Sequence, residues 1–170
     1  MTWALAMAMV SIACGGSASE AEGPLVVYSG RSEELVGPLV EQFESESGID
    51  VEIRYADSSE LAATLLAEGA ETEADVFFAQ DPASLGAAAS LMSQLPEETL
   101  DLVDARFRDG EGRWVGTSGR VRVVAHNTDS DLPLPETIDD VVDPVWVGQL
   151  GVAPTNGSFL AFVSAMILER

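Results

Sequence analysis

Apolar positions recur along this chain in two alternating periods. Leu25-Val26-Val27-Tyr28 is continuously apolar, the pattern of a short strand buried on both faces. From Ser32, the apolar residues Leu35, Val36, Leu39, Val40 and Phe43 fall at helical spacing and predict an amphipathic helix. It should stop at Ser47-Gly48, where glycine supplies a left-handed C-cap. Asp50 to Tyr55 alternates through Val51, Ile53 and Tyr55, a second strand. Ser58 or Ser59 can cap the next helix, which turns Leu61, Leu65 and Leu66 inward and ends at Gly69. Ala74 to Phe78 is the third strand, and Asp81-Pro82 opens another helix with proline in its first turn.

Strands alternating with helices predict repeated βαβ units, a parallel sheet and right-handed crossovers. Ligands of such sheets sit at the carboxyl ends of the strands, beside helix N-termini. That rim carries Ser29 to Ser32 and Ala79 to Pro82. Beyond Leu95-Pro96 the pattern loosens. Phe107 to Gly112 reads as an acidic loop, Trp114 to Gly116 as the start of a strand, and Arg120 to His126 as a β-prone run. Ile138 to Val142 predicts a short helix and Val147 to Ala153 a further strand. Pro154-Thr155-Asn156-Gly157-Ser158 then leads into an apolar helix, Phe159 to Leu168, repeating the strand, polar turn and helix of the opening. The chain ends within that helix and is expected to be a truncated portion.

With 170 residues and 46% hydrophobic content, the chain can bury a core of one domain or somewhat more. Its 29 acids against eight bases, all arginine, give a net charge of −21, which opposes binding to nucleic acid or anionic lipid. The acids are scattered, without calcium-loop spacing, as on a solvated and salt-adapted surface. Cys14 is the only cysteine, so a structural disulfide within the chain is excluded. It follows Trp3 to Ala13, an apolar stretch too short to span a bilayer and suited to a signal-peptide core. Ser11-Ile12-Ala13-Cys14 resembles a lipoprotein cleavage box, with Cys14 as the lipidation site. Position 11 is Ser where Leu is usual, and no basic residue precedes the apolar run; an ordinary signal peptide with an incidental cysteine is the alternative. Either way the mature domain is expected to be exported.

Two small polar turns at helix N-termini expose backbone N–H groups and a positive dipole end, which favour anions. Arg31 adds a permanent planar charge suited to carboxylate, carbonate or phosphate. The bland alternative is a tight strand-to-helix turn with a solvated arginine. His126 has no second imidazole or thiolate for a metal and reads as a strand histidine. Ser118 lies in a turn without an evident base, and Phe77-Phe78 reads as core. Arg120 and Arg122 share a strand face, lining a cleft or a solvated edge. Motifs for a nucleophile elbow, a P-loop or a dinucleotide fold are absent.

VVYSGRSEELVGPLVEQFESESGIDVEIRY, ELAATLLAEG, ADVFFAQD, RWVGTSGRVRVVAHNTD and GVAPTNGSFLAF, in that order, resemble the ferric-iron-binding proteins of bacterial ABC importers. The resemblance implies the α/β type II periplasmic-binding-protein fold, two lobes closing on ligand. It divides the chain into signal peptide and spacer (1–23), first lobe (24–119), hinge strand (120–127) and incomplete second lobe (128–170). It implies Fe³⁺ as cargo with carbonate or phosphate, the anion held by Arg31, Ser32, Asn156, Gly157 and Ser158, with Gly30, Gln80 and Arg120 facing the cleft. It assigns no metal ligand with certainty: Arg31 replaces a usual histidine, Gln80 a usual glutamate and Phe159 an additional tyrosine, while the paired tyrosines would lie beyond Arg170. The implied protein is a monomer, not an enzyme. It serves a membrane permease and its ATPase from the periplasm or the outer face of the cytoplasmic membrane, touching the membrane only through a lipid on Cys14. The same fold with thiamine, a polyamine or an organophosphate as cargo is the alternative, and an exported α/β enzyme would need a base or nucleophile that the sequence does not show.

Overall fold

The structure, a computed structural model, describes residues 23–170. Cys14 and the signal-like segment lie outside the described residues. Strand β1 (Leu25–Ser29) is the centre of a three-stranded parallel sheet, flanked by β2 (Val51–Tyr55) and β3 (Val76–Phe78) in the order β2-β1-β3. Val27 pairs with Ile53 on one side and Val76 on the other, and Ser29 with Tyr55 and Phe78. Helix α1 (Glu33–Ser47) joins β1 to β2, and α2 (Ser58–Glu68) joins β2 to β3. Crossing in opposite directions with the same right hand, the two helices take opposite faces of the sheet.

Helix ends follow the residues that can stop them. Gly48 takes the left-handed conformation (φ 73°) and its N–H donates to the Glu44 carbonyl. Gly69 closes α2 with φ 58°, and its N–H donates to the Leu65 carbonyl. The N-cap of α2 is Asp57, one residue before the serines expected there; Ser58 is instead buried inside the first turn. Helix α3 (Pro82–Ala88) starts at Asp81, whose carboxylate accepts from the Ser84 N–H at 2.9 Å and the Ser84 hydroxyl at 3.1 Å.

The core sits between the sheet and the α2–α3 pair. Tyr28, Leu61, Leu65 and Ala88 form it, with Phe77, Val26 and Met92 packed against it. Of the pair read as core, Phe77 is half-buried against this cluster, while Phe78 is half-buried outside it. Tyr28 keeps its polar end satisfied: its hydroxyl lies 3.1 Å from both oxygens of Glu68, and the Arg54 guanidinium lies over its ring. On the other face, α1 buries only Val36, leaving Leu35, Leu39 and Phe43 exposed.

Past α3 regular structure thins. Helix α4 (Glu97–Leu100) is a single turn. The strand expected at Trp114 to Gly116 is one antiparallel bridge, Arg108 to Val115. Arg120 to His126 forms no strand: Val121 and Val123 are exposed, and no neighbouring strand among the described residues pairs with this backbone. Alternation and β-branching set a preference there without a partner to satisfy it. The hinge strand expected at 120–127 is thus an irregular segment. Ile138–Val142 is a 3₁₀ turn rather than an α-helix, closed by a capping box between Thr137 and Asp140. Val147 to Ala153 is irregular, preceded by a 3₁₀ turn at Pro144–Trp146. Helix α5 (Gly157–Leu168) follows, capped by Asn156, whose side-chain oxygen accepts from the Phe159 N–H at 3.1 Å.

Candidate functional site

The carboxyl ends of β1 and β3 bring the two predicted turns together. The Gly30 N–H donates to the Phe78 carbonyl at 2.9 Å, so the β1–α1 and β3–α3 turns share one rim. Ser29, fully buried, closes its own turn by accepting from the Arg31 N–H at 3.2 Å. The Gln80 N–H donates to the Ser58 hydroxyl at 2.9 Å, and the Gln80 side-chain amide donates to the Gly30 carbonyl. The other end of that amide accepts from Arg120 at 3.1 Å. Both ends of the Gln80 amide are therefore committed to holding the rim.

Helix α5 approaches the same place from the far end of the chain. A Cβ on Gly157 would lie 3.4 Å from the Asp81 carboxylate, so the α5 start is seated against the α3 start. Arg122 donates to the Ser158 carbonyl at 2.9 Å and to its hydroxyl at 3.3 Å. Arg31, Gln80, Arg120, Arg122, Asn156 and Ser158 all line one open cleft. Its volume of about 1240 Å³ exceeds the roughly 300–1,000 Å³ of pockets that enclose a small ligand.

The arginines divide into those with an acidic partner among the described residues and those without, and the cleft, lined also by Arg106, Arg113, Asp75 and Asp81, holds all of the second kind. Arg54, Arg106, Arg108, Arg113 and Arg170 pair with Glu68, Asp104, Asp101, Glu111 and Asp139. Arg31, Arg120 and Arg122 have no carboxylate partner among the described residues, although acids outnumber bases 29 to eight. All three line the cleft. Of the predicted set, Gly30, Arg31, Gln80, Arg120, Asn156, Gly157 and Ser158 are brought to this region, while Ser32 is the N-cap of α1 at its exposed edge. In the sequence Ser58 reads only as a cap, and Arg122, with Arg120, as lining a cleft or a solvated edge; their contacts with Gln80 and Ser158 are the additions. Ser58 sits opposite the one glycine in the turn, and Arg122 two residues from Arg120, but neither spacing tells which turn it touches.

Metal donors are scarce here. No group of three or more His, Cys, Asp or Glu side chains is poised for a metal among the described residues. Tyr28 is buried and hydrogen-bonded in the core. At Tyr55, desolvation first and the nearby Glu33 second push the phenol pKa up, away from phenolate. The Asp81 carboxylate lies beside the α5 start, and it is committed to Ser84.

Comparison with known proteins bears on the family and the fold. The chain is 33% identical to the Fe(3+)-binding periplasmic protein of Serratia marcescens, over 96% of its own length and 50% of that protein's. It is 31% identical to the major ferric iron-binding protein of Neisseria meningitidis, over 89% of its length and 47% of the relative's. Its structure superposes on iron-bound HitA from Pseudomonas aeruginosa with a TM-score of 0.80 at 34% identity, covering 86% of this chain and 49% of that one. The chain thus spans about half the length of the curated relatives it matches. The α/β fold with its parallel sheet is that of these periplasmic binding proteins. Residues 25–153 match the family model described as bacterial extracellular solute-binding protein, and the chain belongs to that family.

Proposed function

We propose that this chain is the ligand-holding portion of an exported, non-enzymatic, monomeric component of an ABC importer. It binds ferric iron together with carbonate or phosphate and passes it to a membrane permease driven by its ATPase. The observation that carries this reading is the convergence of Arg31, Arg120 and Arg122, none paired with a carboxylate among the described residues, on one cleft of a strongly acidic chain. A guanidinium left without an acid in such a chain is matched to an acidic ligand from outside. Residues 24–119 act as the first lobe, 120–127 as the crossing segment and 128–170 as the start of the second lobe. Arg31 and Ser32 grip the anion from the first, and Asn156, Gly157 and Ser158 from the second. Iron is supported by the names and ligands of the relatives. Fe³⁺ prefers anionic oxygens, and the described residues supply almost none, so the anion provides the donors on this side of the metal. A lipid on Cys14 holds the mature protein to the membrane; labelled fatty acid should enter the wild type and not Cys14→Ser.

The test is calorimetric titration of the chain with bicarbonate and with inorganic phosphate, followed by ferric iron with and without each anion. The anion should bind alone, and Arg31→Ala should weaken it by about tenfold, as loss of one charge-assisted hydrogen bond implies. Iron should be held only when the anion is present, and weakly. Indifference of iron to the anion overturns the proposal. Tight, iron-independent capture of a phosphate ester turns it toward an organophosphate cargo.

A further inference from the structure

Arg122 lies across α5 in an arrangement that electrostatics alone does not favour. Its guanidinium sits 5.7 Å from the Phe159 ring centre and 5.2 Å from that of Phe162. These two residues are three apart and so share one face of the helix, forming a platform for the planar cation. From there one nitrogen reaches both the carbonyl and the hydroxyl of Ser158. The Ser158 hydroxyl in turn donates to the Asn156 side-chain oxygen at 2.7 Å, the same oxygen that caps the Phe159 N–H. Arg122, Ser158 and Asn156 are thus one connected chain of hydrogen bonds around the first turn of α5.

A fixed cation at the positive end of a helix is opposed by the helix dipole. No carboxylate among the described residues pairs with Arg122 to relieve it. The two rings, the Ser158 carbonyl and the Asp81 carboxylate beside Gly157 offset part of that repulsion, and an incoming anion relieves the rest. The Gly157 and Ser158 N–H groups have no partner among the described residues and stand beside it.

Resting on the anion-dependent function proposed above, we infer that Arg122 is the positioning residue of the second half-site: clamped on Phe159 and Phe162, it locks the Asn156–Ser158 turn in its anion-receiving shape and ties it to the segment that joins the lobes. It acts through the turn, in contrast to Arg31, which grips the anion itself. The clamp needs a flat group with several donors, so lysine should not replace arginine here.

Two measurements on the 170-residue chain decide this. In anion-free buffer, Arg122→Gln should speed amide hydrogen exchange at Phe159 and Leu160 by about tenfold while leaving β1 and α2 unchanged. Titration with bicarbonate should show affinity reduced by about tenfold in Arg122→Gln and equally in Arg122→Lys. Phe162→Leu, which keeps the charge and removes one ring, should shift both readouts in the same direction. Unchanged exchange in Arg122→Gln overturns the clamp whatever the anion does, and rescue by lysine shows a role of charge alone and overturns it too. Faster exchange with unchanged affinity overturns the link to the anion. If the wild type binds neither bicarbonate nor phosphate, the function proposed above fails, and the exchange arm still decides whether Arg122 holds the turn.

Discussion

Gly30 stands where the chain has no space for a side chain. A Cβ there would lie 2.0 Å from the Ser58 hydroxyl and 3.1 Å from the Ser58 Cα, and that hydroxyl already accepts the Gln80 N–H. Gly30→Ala should therefore push α2 away from the rim and cost about 1–3 kcal/mol, read from urea denaturation. Adding Ser58→Gly removes the obstructing side chain and should recover part of the loss; no recovery would place the cost elsewhere. A second residue-scale effect is a pH dependence at Asp140. The N–H groups of Thr137 and Glu136 donate to its carboxylate at 2.7 and 2.8 Å. Its pKa lies below the ordinary aspartate value, chiefly through the backbone bond from Thr137. A folded pKa below the unfolded one means that the stabilisation is present above the unfolded value and lost as pH falls through the folded one. The turn at Ile138–Val142 should hold at neutral pH and fray in acid, and Asp140→Asn should remove that dependence. Carboxyl resonances followed through an acid titration would show it.

Elements whose partners lie nearby in sequence were legible; those that need distant partners were less so. The apolar run at Leu25 to Tyr28, the glycines after α1 and α2, and the Asp81-Pro82 helix start all formed as their local chemistry predicts. Arg120 to Val123 alternates as β2 does and Val124 keeps the run β-prone, yet it is no strand, because pairing depends on a neighbour that local pattern cannot supply. In the cleft, the two polar turns were readable from composition, whereas the Ser58 bridge and the Arg122 clamp arise from contacts across 22 and 36 positions of sequence. Helices α1 and α5 show the same limit. Their periodicity or apolar content makes them helices, but Leu35 and Leu39 on α1 are 59% and 61% exposed and Ile167 on α5 is 70% exposed. Apolar surface of this extent binds hydrophobic dye. Leu39→Glu with Ile167→Glu should lower dye fluorescence without lowering the denaturation midpoint, while Leu61→Ala, in the fully buried core, should cost about 2–5 kcal/mol. A fall in midpoint for the surface pair would mean that these faces are covered in solution.

At the scale of the whole molecule, two fields of opposite sign act on an approaching anion. The net charge of −21 repels it from a distance, and the three arginines without a carboxylate partner among the described residues attract it once it has entered the cleft. Their ranges differ, and salt separates them. The Debye length falls from about 30 Å at 0.01 M salt to about 8 Å at 0.15 M. That range spans the dimensions of a small domain, so the repulsion from the distributed acids is largely screened at the higher salt. Contacts between guanidinium and anion at hydrogen-bond distance are screened far less. An anion-binding site on a basic protein loses association rate as salt rises. This chain should do the reverse, with the bicarbonate association rate rising from 0.01 to about 0.15 M salt. Stopped-flow mixing at constant pH would measure it, and chloride competition would be recognised by a loss that grows in proportion to its concentration. Arg31→Ala should lower the rate at every salt concentration without reversing the trend. A rate that falls with salt in the wild type would show that the cleft, rather than the acidic surface, governs the approach, and that its positive field reaches well beyond the three arginines.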